Sequence, residues 1–267
     1  MASLSGRDTL RSGSFYNRQH AASHSPVTGS ALKVIAMATM LIDHAGFLLF
    51  PQYPILRWIG RMAFPIFIFL LIEGYFHTHS KPQYFLRLVL FALLSQMPFG
   101  LVFRQDPFCL TYLNTLFTLS IGFLVVWIID GLLYLKNSLP HTAAILYSIA
   151  GLFCIALLLY LANRLHVDYR HCGVLAVAAG FLAARRGAHR CIVYACICLV
   201  LLCFYDMEIA ALLMLPLIQM YHGKRGRRSA LFQYACYMFY PVHLVFLYAV
   251  YLLMVAGERL SLPITMH

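Results

Sequence analysis

Charge is what this sequence has least of. Only nine of its 267 residues are acidic and 11% are charged, against about 25% in an ordinary soluble domain. With 62% hydrophobic residues, the chain carries more apolar surface than one soluble core can hide, which excludes a soluble globular protein. No C-x-x-C pair of the zinc-binding kind occurs. The eight cysteines (109, 154, 172, 191, 196, 198, 203 and 236) fall mostly within apolar runs, where they read as small buried hydrophobes. The net charge of +11 does not mark a nucleic-acid binder, because no stretch interleaves Lys/Arg with aromatics as a nucleic-acid groove requires. No internal repeat is visible, which argues against an inverted-repeat transporter. Residues 1–30 are polar and lack the apolar core of a secretory signal. They are expected to form a disordered cytoplasmic tail ahead of a retained first span.

What the sequence does have is apolar runs near 20 residues, each long enough to cross a hydrocarbon layer of roughly 30 Å as a helix. Nine candidate spans follow: 31–50, 55–76, 83–103, 110–135, 142–162, 172–184, 190–204, 207–222 and 231–255. The fold class predicted is an all-α integral membrane protein, a polytopic bundle of about nine (eight to ten) transmembrane helices. A membrane domain over 31–258 separates the tail from a short C-terminal tail at 259–267. With the N-terminus inside, thirteen Lys/Arg gather on one side and six on the other, so the positive-inside rule places the tail and the 223–228 loop in the cytoplasm.

Ionisable residues inside spans are costly and by default face a cavity or a partner, so they are functional candidates. Asp43-His44 lies deep in the first span. At about 100° per residue, Lys33 and His44 fall within about 20° of each other on one face, separated by roughly 16 Å along the axis. That stripe, with Met37, Met40 and Leu41, suits a passage from an anionic cytoplasmic cofactor to a buried reaction centre. His44 is the side chain best suited to take a proton near neutral pH. An Asp-His pair tying two helices together is the alternative. Glu73-Gly-Tyr-Phe-His77-Thr-His79 ends the second span, where Pro65 is expected to kink the helix. Glu73 is a candidate acid partner for Arg61 or Lys33. His77 and His79, at i and i+2, do not face one site on a helix, and no metal is expected. Asn114 is either helix–helix glue or a substrate contact. Asp168, in the 166–171 loop, offers a carboxylate near the outer end of the His44 helix. Tyr240 and His243 mark the entrance of the last span.

Six segments carry a family likeness: LKVIAMATMLIDHAG (32–46), RWIGRMAFPIFIFLLIEGYFHT (57–78), YFLRLVLFALLSQMPFGLVF (84–103), LNTLFTLSIGFLVVW (113–127), VDYRHCGVL (167–175) and FYPVHL (239–244). Together they resemble the TraX family, whose named member is the conjugative pilin N-acetylation protein. The first segment is also similar to the wider group of integral membrane acyltransferases, in which a basic residue opens a span and a His follows eleven residues on. The resemblance implies a bacterial inner-membrane enzyme moving acetyl from acetyl-CoA to an amine such as a pilin N-terminus, with the bilayer as its other partner and no nucleic acid. The resemblance implies His44 as the acyl-transfer base or acyl-handling residue and Lys33 as a cofactor or structural cation, and Asp43 and Glu73 join them as catalytic candidates by their place in the spans. By position alone, Arg61, Lys81 and Arg87 are candidates for the cofactor, and Asn114, Asp168, Tyr240 and His243 for substrate or oxyanion contacts. The alternatives are a surface-glycan O-acetyltransferase, a proton-coupled transporter or flippase using Asp43, His44 and Glu73, and an assembly scaffold.

Overall fold

The computed structural model describes residues 27–135, 138–224, 226 and 229–261, without the side chains of 257–261. The expected disordered tail, through residue 26, lies outside the described residues, as do 262–267 of the expected C-terminal tail and Arg225, Arg227 and Arg228 of the basic loop. The elements, in chain order, are α1 (Gly29–Leu48), α2 (Pro54–Gly60), α3 (Ala63–His77), α4 (Lys81–Arg104), α5 (Thr115–Leu135), α6 (His141–Arg164), α7 (Arg170–Arg185), α8 (Arg190–Leu202), a 3₁₀ segment (Asp206–Met214), α9 (Leu215–Met220) and α10 (Ala230–Ser261). Among the described residues there is no β-strand, only isolated bridges pairing Val27 with Tyr221 and Leu113 with Val167. Helices satisfy every interior backbone group within the segment, which a chain this apolar requires in lipid.

Local signals set several ends. The Thr28 hydroxyl accepts from the Ala31 amide at 3.2 Å and opens α1, and Ser80 accepts from Gln83 at 3.4 Å to open α4. The second span is not one kinked helix. It stops at Gly60, turns through Arg61 and Met62, and restarts at Ala63, with Pro65 in the first turn of α3, where its missing N–H costs nothing. This break corrects the expected kink at Pro65, and it lets the Arg61 side chain leave the helix end.

Among the described residues, six stretches are long and apolar enough to cross a membrane: 29–48, 54–77, 81–104, 115–135, 141–164 and 230–256. The chain is a multi-pass membrane protein with fewer full-length spans than the nine expected. The expected sixth and seventh spans are α7 and α8, of 16 and 13 residues, and the eighth divides into the 3₁₀ segment and α9. None of these reaches the roughly 20 residues that a perpendicular crossing needs.

Short α3 lies at the centre. Phe64, Ile66, Ile68, Phe69, Leu71, Ile72 and Tyr75 are all buried against α5, α7 and α8. Peripheral α6 buries only Gly151 and Ala162, and presents Leu146, Leu152, Phe153 and Leu157 outward, as lipid-facing residues do.

Candidate functional site

The first span sets the frame. Lys33 stands near the start of α1 and Asp43-His44 one turn before its end, so two polar regions lie at opposite ends of one helix. We call them the Lys33 end and the Asp43 end.

At the Asp43 end, His44 is 7% exposed and meets His243 of α10, Nδ1 to Nε2, at 2.7 Å. The rings are nearly parallel (7°) with centroids 5.0 Å apart, so they lie end to end. His243 Nδ1 is 2.7 Å from the Phe239 carbonyl. A carbonyl can only accept, so His243 Nδ1 carries the hydrogen and its Nε2, in the neutral ring, is a lone pair. His44 Nδ1–H therefore donates to His243, which leaves the lone pair of His44 on Nε2. A backbone carbonyl thus fixes the tautomers of two imidazoles in series and sets His44 up as a base. Tyr240 and Phe103 hold its ring edge-on, with centroids at 6.2 and 5.3 Å. Tyr240 and His243 sit about three turns into α10, not at its entrance as expected.

Asp43 points away from His44. Its carboxylate accepts from Arg57 Nη1 at 2.7 Å and from Arg61 Nη2 at 3.0 and 3.1 Å. Arg61 continues to the Tyr169 hydroxyl at 3.0 Å, and Tyr169 donates to Glu208 Oε1 at 3.0 Å. Asp43, about 100° from His44 on the helix, thus joins the arginines instead of the imidazole, and Arg61, a cofactor candidate by position, is paired with Asp43 and lies 3.9 Å from Glu208. The two helices approach closely here because residue 60 is glycine. A Cβ at Gly60 would overlap the Asp43 side chain.

Asp168 belongs to the same end. It accepts from the Tyr112 hydroxyl at 3.0 Å and from the Thr115 hydroxyl at 2.5 Å, while the Thr118 hydroxyl donates to its backbone carbonyl. Burial, then the Asp168 charge, push the Tyr112 phenol above its ordinary range, so it remains a hydrogen donor to the carboxylate.

A cavity of about 500 Å³ runs from the Lys33 end toward this cluster, within the range of about 300–1,000 Å³ usual for small-molecule sites. Lys33, Met37 and Met40 of α1 line one wall. His77, His79 and Arg87 stand toward the Lys33 end, and Thr115 and Tyr240 line the inner part. Met40 is one helical turn before His44, so the inner wall adjoins the imidazole pair. Lys33 and His44 share a face of α1, as their spacing predicts, but His44 lies beyond the cavity lining.

Glu73 also lines the cavity, at the Lys33 end. It pairs with Arg190 at 3.7 Å and His77 at 3.9 Å and accepts from Tyr221 at 3.3 Å. Its partners are therefore neither Arg61 nor Lys33, and both Glu73 and Lys33 are remote from His44. Lys81 is bound to Asp130 at 2.8 Å, alongside Arg185 and the Tyr75 hydroxyl, and does not line the cavity. Asn114 is fully buried between α4 and α5. Its amide donates to Ala92 O at 2.8 Å and Gln96 Oε1 at 2.9 Å, and its oxygen accepts from Leu116 N. With both ends of that amide occupied, Asn114 joins α4 to α5. Asn114→Ala is expected to cost about 1–2 kcal/mol, as interhelical hydrogen bonds in membranes do. Unfolding followed in detergent micelles checks this.

Sequence reasoning missed Tyr169, Arg190 and Glu208. Arg190 counted only among the thirteen cations of the cytoplasmic side, yet it is 4% exposed against Glu73. Glu208 left a usable signal, a carboxylate inside an apolar run, and it is fully buried. Tyr169 left none.

A protein of Dichelobacter nodosus called "Probable fimbrial assembly protein FimC, serogroup H1" is 30% identical over 236 residues, covering 81% of this chain and 92% of that protein. "Uncharacterized protein RP591" of Rickettsia prowazekii (strain Madrid E) is 28% identical over 152 residues, 57% of this chain and 54% of the relative. No solved structure matches. The family described as TraX protein matches residues 28–251, a stretch that includes both ends of the cavity and the imidazole pair, and the chain belongs to the TraX family.

Proposed function

We propose that this protein is a membrane-embedded acyltransferase that moves an acetyl group from acetyl-CoA to a primary amine, with a pilin-type N-terminus as acceptor. The observation that carries this reading is the tautomer-locked pair. Phe239 holds His243, and His243 holds His44 with its Nε2 lone pair free to take a proton beside the inner wall of a cavity. A base positioned in this way is what amine acylation needs, because the acceptor must shed a proton as its nitrogen attacks the thioester.

The donor side fits the cavity. Lys33 and Arg87 place two cations toward one end, suited to phosphates, and the walls between are largely apolar, suited to a thioester arm. The bias of Lys/Arg across the bundle supports a cytoplasmic Lys33 end and an inner-membrane location with the N-terminus inside. Acetyl-CoA would then enter from the compartment that holds it. The name of the Dichelobacter relative supports an acceptor among fimbrial subunits.

The test is transfer of radiolabelled acetyl from acetyl-CoA to a peptide bearing a free N-terminal amine, by the protein in proteoliposomes. Label on the peptide nitrogen is the expected result. No label above protein-free vesicles overturns the reading. Lys33→Gln and Arg87→Gln are each expected to raise KM for acetyl-CoA by about tenfold, the low end of what a charge-assisted contact contributes, with little change in kcat.

A further inference from the structure

Asp168 differs from the other carboxylates at its end of the bundle. Asp43 has two arginines, and Glu208 lies 3.9 Å from Arg61. No cation stands within ion-pair distance of the Asp168 carboxylate among the described residues. Two hydroxyls, from Tyr112 and Thr115, fix it in place, and a carboxylate accepting two bonds retains lone pairs for a further donor. The chain around it is also held, since the Asp168 amide donates to Leu113 O at 2.8 Å. The carboxyl group is thus held in place by hydrogen bonds and half-buried.

A second observation points the same way. The Tyr240 hydroxyl is buried, with the residue only 5% exposed, and makes no well-formed hydrogen bond although Thr115 is beside it. Thr115 turns its own hydrogen to Asp168. Tyr240 therefore stands between the carboxylate and the His44 ring with a polar group unspent, on the inner wall of the cavity. An unsatisfied buried hydroxyl is costly unless something else completes it.

We propose that Asp168 and Tyr240 form the acceptor subsite, in which the Asp168 carboxylate takes the ammonium of a primary amine arriving from the Asp43 end of the bundle. This rests on the acyltransferase reading and names where its second substrate binds. The ammonium gives one proton to His44 Nε2. The freed nitrogen attacks the thioester carbonyl, to which Tyr240 donates, forming the C–N bond. The C–S bond then breaks, and His44 returns its proton to the departing thiolate. The attacking nitrogen loses its second proton to solvent, so ammonium plus thioester yields amide, thiol and one proton. Asp168 binds the cationic form of the acceptor and is not consumed.

The experiment compares the full-length protein with Asp168→Asn in nanodiscs, using an apolar peptide with a free N-terminal amine and the same peptide carrying a hydroxyl in place of that amine. Two quantities are read: peptide binding without acetyl-CoA, and the kinetics of transfer. The expected result is binding of the amine peptide weakened at least tenfold and its KM raised to match, with the KM for acetyl-CoA and binding of the hydroxyl peptide unchanged. Asp168→Glu should recover part of the loss. Equal weakening for both peptides, or a raised KM for acetyl-CoA, makes Asp168 structural and overturns the subsite alone. Absence of transfer by the unaltered protein together with undiminished amine-peptide binding by Asp168→Asn overturns both readings. If transfer is absent but the amine-specific binding difference persists, the subsite stands and only the acyltransferase reading falls.

Discussion

Replacement of His44 by glutamine should lower acetyl transfer by about 10²- to 10⁴-fold, the range a positioned general base contributes, while acetyl-CoA binding remains near its original level. Glutamine keeps a polar side chain where His44 meets His243 but offers no nitrogen able to take a proton from the acceptor. The loss should therefore fall on kcat. His243→Gln should do less, because an amide oxygen can still accept from His44 Nδ1–H and hold the ring in the productive tautomer. Equal and complete loss in both variants, accompanied by loss of acetyl-CoA binding, would mean that the pair merely joins α1 to α10. Single-turnover transfer in proteoliposomes, with binding measured separately, distinguishes these outcomes.

The largest expected effect on stability is at Arg61. One guanidinium serves Asp43 and the Tyr169 hydroxyl and lies 3.9 Å from Glu208, linking the α2–α3 break to α1, to the loop before α7 and to the 3₁₀ segment. Arg61→Leu leaves a fully buried carboxylate at Glu208 without its cation, and removing one partner of a buried pair costs about 3–5 kcal/mol. Asp43 suffers less, because Arg57 stays 2.7 Å from it. Adding Glu208→Leu to Arg61→Leu should return a large part of the lost stability, since the double change removes the stranded charge as well as its partner. Thermal unfolding in detergent, as a double-mutant cycle, reads the coupling directly. Additive losses would show that the two residues do not act as a pair.

The sequence carried a good deal of this site. Deep placement in an apolar run singled out His44, and helical periodicity put Lys33 on the same face, where it lines the cavity that leads toward the imidazole pair. The polar islands at Asp168, Tyr240 and His243 were visible as breaks in hydropathy. Their partners were not, because a side chain's partner across the bundle is set by packing and not by spacing. Asp43 neighbours His44 in the chain but projects about 100° away on the helix, so the histidine 199 residues distant orients it instead. Spacing was equally silent on Arg61 and Lys81: a cation near a span end is compatible with phosphate and with carboxylate alike, and in the fold they pair with Asp43 and Asp130.

By itself the sequence determined that the chain enters a bilayer as helices, because apolar runs of this length leave the backbone no other way to satisfy its hydrogen bonds in lipid. It also determined which residues sit at membrane depth and are too polar to be there without a reason. Only the tertiary structure decided how many runs are full-length spans, since α7 and α8 are short helices packed against α3, and the broken segment after them packs on α8. It alone decided the proton arrangement at His44, because a tautomer follows from what the far nitrogen of a partner ring is bonded to. That bond, from His243 to the Phe239 carbonyl, exists only once α10 has docked on α1.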